Sequence, residues 1–254
     1  MPPVITSLKD EPLAVIRALD GRTGRAEAGA CVLEGAALIE QALAAGAPLR
    51  FAVRSDEATD IIGVHQVPVY QARGSLLRQA VRLARPVEWV AVAELPPEGG
   101  DYGDFAVVLD GVRDPGNLGT IVRTAVALGV GDIVCTDAET DLTGRRVLDA
   151  SRAAVLRAVI HRYPTPPAAV TALREQGFEV VATSSHGTVA QADTPLRGGR
   201  VALVVGNETD GVRPDVLAAA DHVVRIPMAG GVESLNVGVA TGISLYELRR
   251  LAGG

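Results

Sequence analysis

Ser234 and Asn236 lie where an apolar strand pattern runs into a Pro/Gly loop and then a strongly apolar helix: His222-Val-Val-Arg-Ile-Pro-Met-Ala-Gly-Gly-Val-Glu-Ser-Leu-Asn-Val-Gly-Val-Ala-Thr-Gly-Ile-Ser-Leu-Tyr-Glu247. The loop is expected to deliver both side chains to the first turn of a helix over 234–251. Backbone N–H groups there lack partners and carry partial positive charge, which suits a polar or anionic ligand group. On residue type alone, Ser234 is equally an ordinary N-cap and Asn236 a helix-start residue.

Two further segments share this plan. In 109–129 and again in 202–211, an apolar strand ends in a Gly/Asn/Asp turn, and Asn117 and Glu208 collect at its C-terminal edge. Open parallel sheets bind ligands at that edge. Asp114, Pro115 and Gly116 are also standard turn residues, and Glu208 reads equally as an acid favoured by the dipole of a helix start.

Regular elements must bring those edges together. From Phe105 onward strands are expected near 105–110, 131–136, 178–183, 201–205 and 222–226, with helices near 117–128, 145–157, 166–176, 213–219 and 234–251. The unbroken apolar run Val201 to Val205 marks a strand buried on both faces, hence an α/β fold with a parallel sheet under two helix layers. Before it, helices at 11–19, 36–45 and 75–83 alternate with strands at 31–33, 50–54, 68–70 and 89–92, which makes a small α/β domain. The Pro/Gly-rich stretch 95–103 places the division, giving domains at 1–98 and 105–254 with a linker at 99–104.

Composition bounds the function. A chain of 254 residues is one large domain or two modest ones. A net charge of −6 and a pI near 5.3 are not those of a protein that wraps nucleic-acid phosphates along its whole surface. Any such surface must be a local patch, with Arg17, Arg22 and Arg25 or Arg73, Arg78, Arg82 and Arg85 as candidates; the alternative is a set of solvated helix faces. Cys31 and Cys135 lack paired spacing, which fits a reduced compartment. His65, His161, His186 and His222 are scattered without ligand spacing, so no metal is expected. No apolar run reaches spanning length and the start lacks a signal pattern, so a cytoplasmic protein with no membrane partner is expected. The turn 111–119 is not the dinucleotide glycine pattern, which disfavours a nicotinamide oxidoreductase.

At DPGNLGTIVRT (114–124), VVGNETDG (204–211) and IPMAGGVESLNVGVATGISLYE (226–247) the chain resembles the SpoU (TrmH) branch of the SPOUT methyltransferases, in the family's motif order. The N-terminal region matches only through ITS (5–7) and VLEG (32–35). The resemblance implies methylation of RNA ribose 2′-hydroxyls with S-adenosylmethionine, a C-terminal domain carrying a deep trefoil knot, and a ribosomal-protein-like substrate-binding domain before it. It also implies a homodimer, here through the helix 234–251.

The same resemblance makes Arg123 the catalytic arginine. A guanidinium stays protonated, so its physical role is to hold a phosphate and stabilise a developing alkoxide. Asn117 would order the site, Glu208 would brace Asn117 or the cofactor loop, and Ser234 and Asn236 would face the acceptor ribose. Gly206, Ile226 and Leu235 match positions whose backbones surround the adenosine. Met228 adds an apolar wall, and Thr183 at a strand end is a further cofactor candidate. Core packing is the alternative for Ile226 and Leu235.

A separate N-terminal domain favours ribosomal RNA over transfer RNA, and some relatives of this layout confer antibiotic resistance. The acidic charge is the one feature that supports a small nucleoside-like acceptor instead. Asn117, Arg123, Glu208, Ser234 and Asn236 together speak against a non-catalytic RNA-binding module. The chain departs from the family at 23–34, where many members carry a basic pair and an aromatic, and at Arg85-Pro-Val-Glu-Trp89, in place of a Pro-Gln-Gly stretch. Both departures bear on the choice of RNA.

Overall fold

The computed structural model describes residues 2–230 and 232–253. In chain order the first elements are β1 (Val4–Ile5), α1 (Glu11–Ala18), α2 (Arg22–Ala28), β2 (Ala30–Glu34), α3 (Ala36–Ala44), β3 (Leu49–Ser55), β4 (Val69–Ala72), α4 (Gly74–Ala80) and β5 (Trp89–Glu94). There follow β6 (Phe105–Asp110), α5 (Pro115–Ala127), β7 (Asp132–Cys135), α6 (Arg145–Ala150), β8 (Val159–Arg162), α7 (Pro166–Glu175) and β9 (Phe178–Thr183). The last are β10 (Val189–Ala190), β11 (Arg200–Gly206), α8 (Pro214–Ala219), β12 (His222–Arg225) and α9 (Val237–Leu251).

The chain divides into two compact units, residues 1–96 with 141–157, and residues 97–140 with 158–254. The first unit holds a mixed sheet in the order β1-β4-β3-β5-β2. Its core packs Leu13, Ile16 and Leu19 of α1 and Leu77 of α4 against Val53, Val90 and Val92 of the sheet. The second domain expected from sequence ran unbroken from 105, but 141–157 packs with the first unit. The reason is electrostatic: Asp141 pairs with buried Arg25, and Arg145 reaches Glu34 at 2.7 Å while donating to the Val81 carbonyl at 2.8 Å. Arg25 also donates to the carbonyls of Leu19 and Asp20, which close α1. It is 6% exposed and therefore lies outside any RNA-facing patch.

The helix expected over 145–157 stops at Ala150. Arg152 and Ala153 stand at φ 53° and 60°, a left-handed conformation no helix continues through, and a 3-10 turn, Ala154–Arg157, follows. Beyond it stands β8, whose sequence Val-Ile-His-Arg holds too short an apolar run to mark a strand by pattern. α2 also went unseen, since its seven residues carry no apolar stripe.

The second unit is built on a seven-stranded, wholly parallel sheet in the order β10-β12-β9-β11-β6-β7-β8. Every residue from Val201 to Gly206 is buried, as a strand covered on both faces must be. From β6 the chain moves outward through β7 and β8, then crosses to β9 on the other side and returns as β11 beside β6. β6 and β11 thus flank the point where the winding reverses, with Asp110 opposite Gly206 at their C-terminal ends. A crevice forms at such a point, and the loops leaving both strands open into it.

Candidate active site

α5 begins at Pro115, two residues before the expected 117, because Asp114 caps it. Asp114 accepts a hydrogen bond from the Asn117 backbone N–H at 2.8 Å, and Pro115 supplies the fixed φ of a first helical residue. α9 begins the same way: Asn236 is its N-cap and accepts from Gly238 N at 2.9 Å and Val239 N at 3.3 Å. The helix therefore starts at Val237, and Ser234, expected in its first turn, lies in the exposed loop before it. The two helices approach closely through small residues: a Cβ on Gly238 would sit 2.8 Å from Thr120 Cγ2, and one on Gly242 3.2 Å from Thr124 Cγ2.

This packing joins side chains from three segments far apart in sequence. Asn236 Nδ2 donates to Asn117 Oδ1 at 2.8 Å, and Asn117 Nδ2 donates to Glu208 Oε1 at 2.6 Å. Each asparagine uses both ends of its amide, so the amide orientations are fixed and the chain of bonds has one direction. Glu208 stands on a turn rather than at a helix start, since α8 begins only at Pro214.

That turn is folded around Asn207. Asn207 and Gly211 exchange backbone hydrogen bonds at 3.1 and 2.9 Å, and Asn207 Oδ1 accepts from Thr209 N and Asp210 N. Asn207 Nδ2 donates to the Gly111 carbonyl at 2.9 Å. At the turn's exit Arg213 donates to Asp110 twice, from its backbone N at 2.8 Å and from Nε at 2.7 Å. Gly206 is required by this turn itself: its Cβ would fall 2.1 Å from the Gly211 carbonyl carbon. This close approach by itself accounts for a glycine at 206, whatever its backbone faces.

Asp110, Asn207 and Arg213 were not singled out in the sequence. The available signal was an acid closing an otherwise apolar strand. Nearby, Asp137 is held below the usual carboxylate range, first by the Glu139 backbone N–H and then by the Arg113 guanidinium at 3.1 Å.

Arg123 lies on the exposed surface of α5, about 60° around the helix from Thr120. No described residue gives its guanidinium a hydrogen bond or ion pair, so it stands apart from the bonded set of Asn117, Glu208 and Asn236. Ser234 likewise has no side-chain partner among the described residues.

For the remaining candidates, Ile226 and Met228 are half-buried, Leu235 is 37% exposed, and Thr183 Oγ1 donates to the Val204 carbonyl at 3.2 Å. Leu235 is thus a surface residue, not core. Among the described residues of 226–235, no backbone N–H or C=O is taken up by a partner within the chain. Such groups bond to a ligand or to water. Two histidines have local partners: His161 Nε2 lies 2.7 Å from Asp132, and His222 pairs with Glu179.

The SpoU rRNA Methylase family matches residues 104–246. The chain belongs to this family. An uncharacterized tRNA/rRNA methyltransferase of Synechocystis sp. is 32% identical over 97% of this chain and 93% of its own length. The 23S rRNA (guanosine(2553)-2′-O)-methyltransferase RlmP of Bacillus subtilis is 28% identical over 96% of this chain and 98% of its own. Among solved structures, the SpoU methyltransferase AviRb of Streptomyces viridochromogenes, in complex with AdoMet, superposes with a TM-score of 0.79 at 28% identity, covering 97% of this chain and 100% of that one. The family match runs across β6, β11 and α9, and so contains each of Asn117, Glu208 and Asn236.

Proposed function

We propose that this chain is an S-adenosylmethionine-dependent methyltransferase acting on a ribose 2′-hydroxyl of RNA, with ribosomal RNA the favoured substrate. The observation that carries the reading is the hydrogen-bonded line Asn236–Asn117–Glu208 at the reversal point of a parallel sheet. Membership of the SpoU family, a 23S rRNA 2′-O-methyltransferase among the relatives and an AdoMet-bound structural neighbour support it.

The donor supplies a sulfonium-bound methyl group that is already electrophilic. What remains for the protein is to align an acceptor, raise the nucleophilicity of a weakly acidic hydroxyl and exclude water. The loop 226–235 suits the donor, since Ile226 and Met228 offer apolar walls and the backbone groups of its described residues are free to bond an adenine edge. Thr183 and Gly206 flank it as the ends of β9 and β11. Asn236, held by Asn117 and Glu208, presents a fixed amide beside Ser234, whose hydroxyl is free to meet the ribose. Arg123, with no ion-pair partner among the described residues, holds the neighbouring phosphate and stabilises the negative charge that develops on the attacking oxygen.

The remaining features of the reading are the trefoil knot in the C-terminal unit, an N-terminal unit that recognises RNA through Arg73, Arg78 and Arg85 on and beyond α4, a chemistry without metal, and a cytoplasmic setting. Those three arginines are exposed and none forms a salt bridge among the described residues, although the charge of Arg85 acts on Glu34, whereas Arg82 pairs with Asp20 at 2.9 Å. No described helix is long and apolar enough to cross a membrane. Antibiotic resistance and transfer RNA are the other biological settings compatible with the same chemistry.

A homodimer through α9 completes the proposal. While one face of α9 packs inward, Val239, Ile243 and Tyr246 stand 51%, 42% and 65% exposed at i, i+4, i+7 spacing. Ile243→Glu is expected to convert a dimer at micromolar concentration to a monomer by sedimentation velocity. An unmodified chain that sediments as a monomer would refute the dimer.

The function itself is tested by incubating the protein with methyl-labelled S-adenosylmethionine and, separately, ribosomal RNA, transfer RNA and free nucleosides. Label in ribosomal RNA is expected. Label in free nucleosides alone would replace the reading with a small-molecule methyltransferase, and no labelled product with the donor bound would remove it.

A further inference from the structure

Building on the function proposed above, we infer that Asp110, Asn207 and Arg213 form a positioning clamp that sets Glu208 against Asn117. None of the three bonds to Asn117, Glu208 or Asn236 themselves; they act through the turn 207–211.

The turn has one useful side chain, Glu208, and an exposed carboxylate on a five-residue turn samples many rotamers unless its backbone is fixed. It is fixed at both ends to one place, the C-terminal end of β6. At the entry, Asn207 Nδ2 donates to the Gly111 carbonyl at 2.9 Å while its Oδ1 gathers the N–H groups of Thr209 and Asp210. At the exit, both oxygens of Asp110 are taken by Arg213, at 2.8 and 2.7 Å. Asp110 is 1% exposed, and a buried carboxylate is retained only where its oxygens are satisfied. Arg213, by contrast, is half-exposed, so its guanidinium adds little by burial of its own.

β6 also leads directly into α5. Through Asp110 and Gly111 the strand that delivers Asn117 therefore carries the turn that delivers Glu208, and the 2.6 Å bond between them is set by a common base. Hydrogen-bonded alignment of this kind is sensitive to small displacement, since about 1 Å can cost about a hundredfold in rate.

The test is a double-mutant cycle read in kcat for RNA methylation at saturating donor and RNA. Arg213→Ala is expected to lower kcat about tenfold in the unmodified chain but less than about twofold in a Glu208→Ala background, where nothing is left to position. KM for RNA and affinity for S-adenosylmethionine should each change less than about twofold. Asn207→Asp keeps the turn's acceptor but sets a carboxylate oxygen against the Gly111 carbonyl in place of the donor, so it detaches the turn's entry from β6 and should reproduce the kcat loss even if Arg213→Ala fails to fold. Losses that multiply in the double variant, or an effect confined to KM, would overturn the clamp while leaving the methyltransferase reading intact. Absence of RNA methylation by the unmodified chain would instead defeat that reading, and the clamp with it.

Discussion

Arg123→Ala is expected to lower kcat for RNA methylation by about 10²- to 10³-fold, the usual cost of removing one preorganised charge from a developing oxyanion. Affinity for S-adenosylmethionine should change less than about twofold, because the side chain lies on α5 and the donor loop is 226–235. Arg123 is exposed, and no described residue pairs with it, so its removal leaves no buried partner stranded. Thermal unfolding should accordingly be unchanged within about 0.5 kcal/mol. Arg123→Lys should recover only part of the rate, since an ammonium cannot reproduce the planar fork on a phosphate. Single-turnover kinetics with calorimetric donor binding separates these quantities. Joint loss of fold and donor binding would make Arg123 structural.

The second large effect falls on stability. Gly206→Ala places a Cβ 2.1 Å from the Gly211 carbonyl carbon and the Val212 nitrogen. Both are backbone atoms of a turn already cross-bonded to Asn207, so they cannot swing aside as a side-chain end would. A loss of about 3 kcal/mol is expected, roughly 6–12 °C in Tm for a unit of this size, with the Glu208–Asn117 bond broken as the turn opens. Gly211→Ala is the control: Gly211 has φ +72° but open space around its Cβ position, so only the left-handed strain of about 1 kcal/mol applies. Calorimetry on both variants decides. Equal losses would mean that conformation, not the close backbone approach, makes Gly206 necessary.

Much of this architecture was legible in the residues. The runs Phe105–Asp110 and Phe178–Thr183 are bounded in the structure as the sequence pattern bounds them, because strands buried on both faces are written as mostly apolar runs, with Glu179 the buried exception in the second. Asp114 and Pro115 read as turn residues before a helix near 117–128, and in the structure the same two residues cap and open α5 two positions earlier. The missing parts depend on contacts that local pattern does not encode. Segment 141–157 reads as part of the second domain, and the buried Arg25–Asp141 pair, with Arg145 on Glu34 and the Val81 carbonyl, ties it to the first unit.

At the site, the types of Asn117, Glu208 and Asn236 were readable, but the Asn236–Asn117 bond depends on Gly238 and Gly242 packing against Thr120 and Thr124, and the Asn117–Glu208 bond on the turn 207–211. The clamp residues escaped notice for a similar reason. Asp110 reads as a strand-ending acid until Arg213, 103 residues later, closes on it.

The most direct test of the central claim is the chemical identity of the product. Ribosomal RNA from a strain lacking the gene would be methylated with labelled S-adenosylmethionine, digested to nucleosides and resolved by chromatography with mass detection, with Arg123→Ala run in parallel. Label in a 2′-O-methylnucleoside, lost with the variant, is the result predicted. Label on a base, or label in the ribose that persists undiminished in Arg123→Ala, would contradict the account.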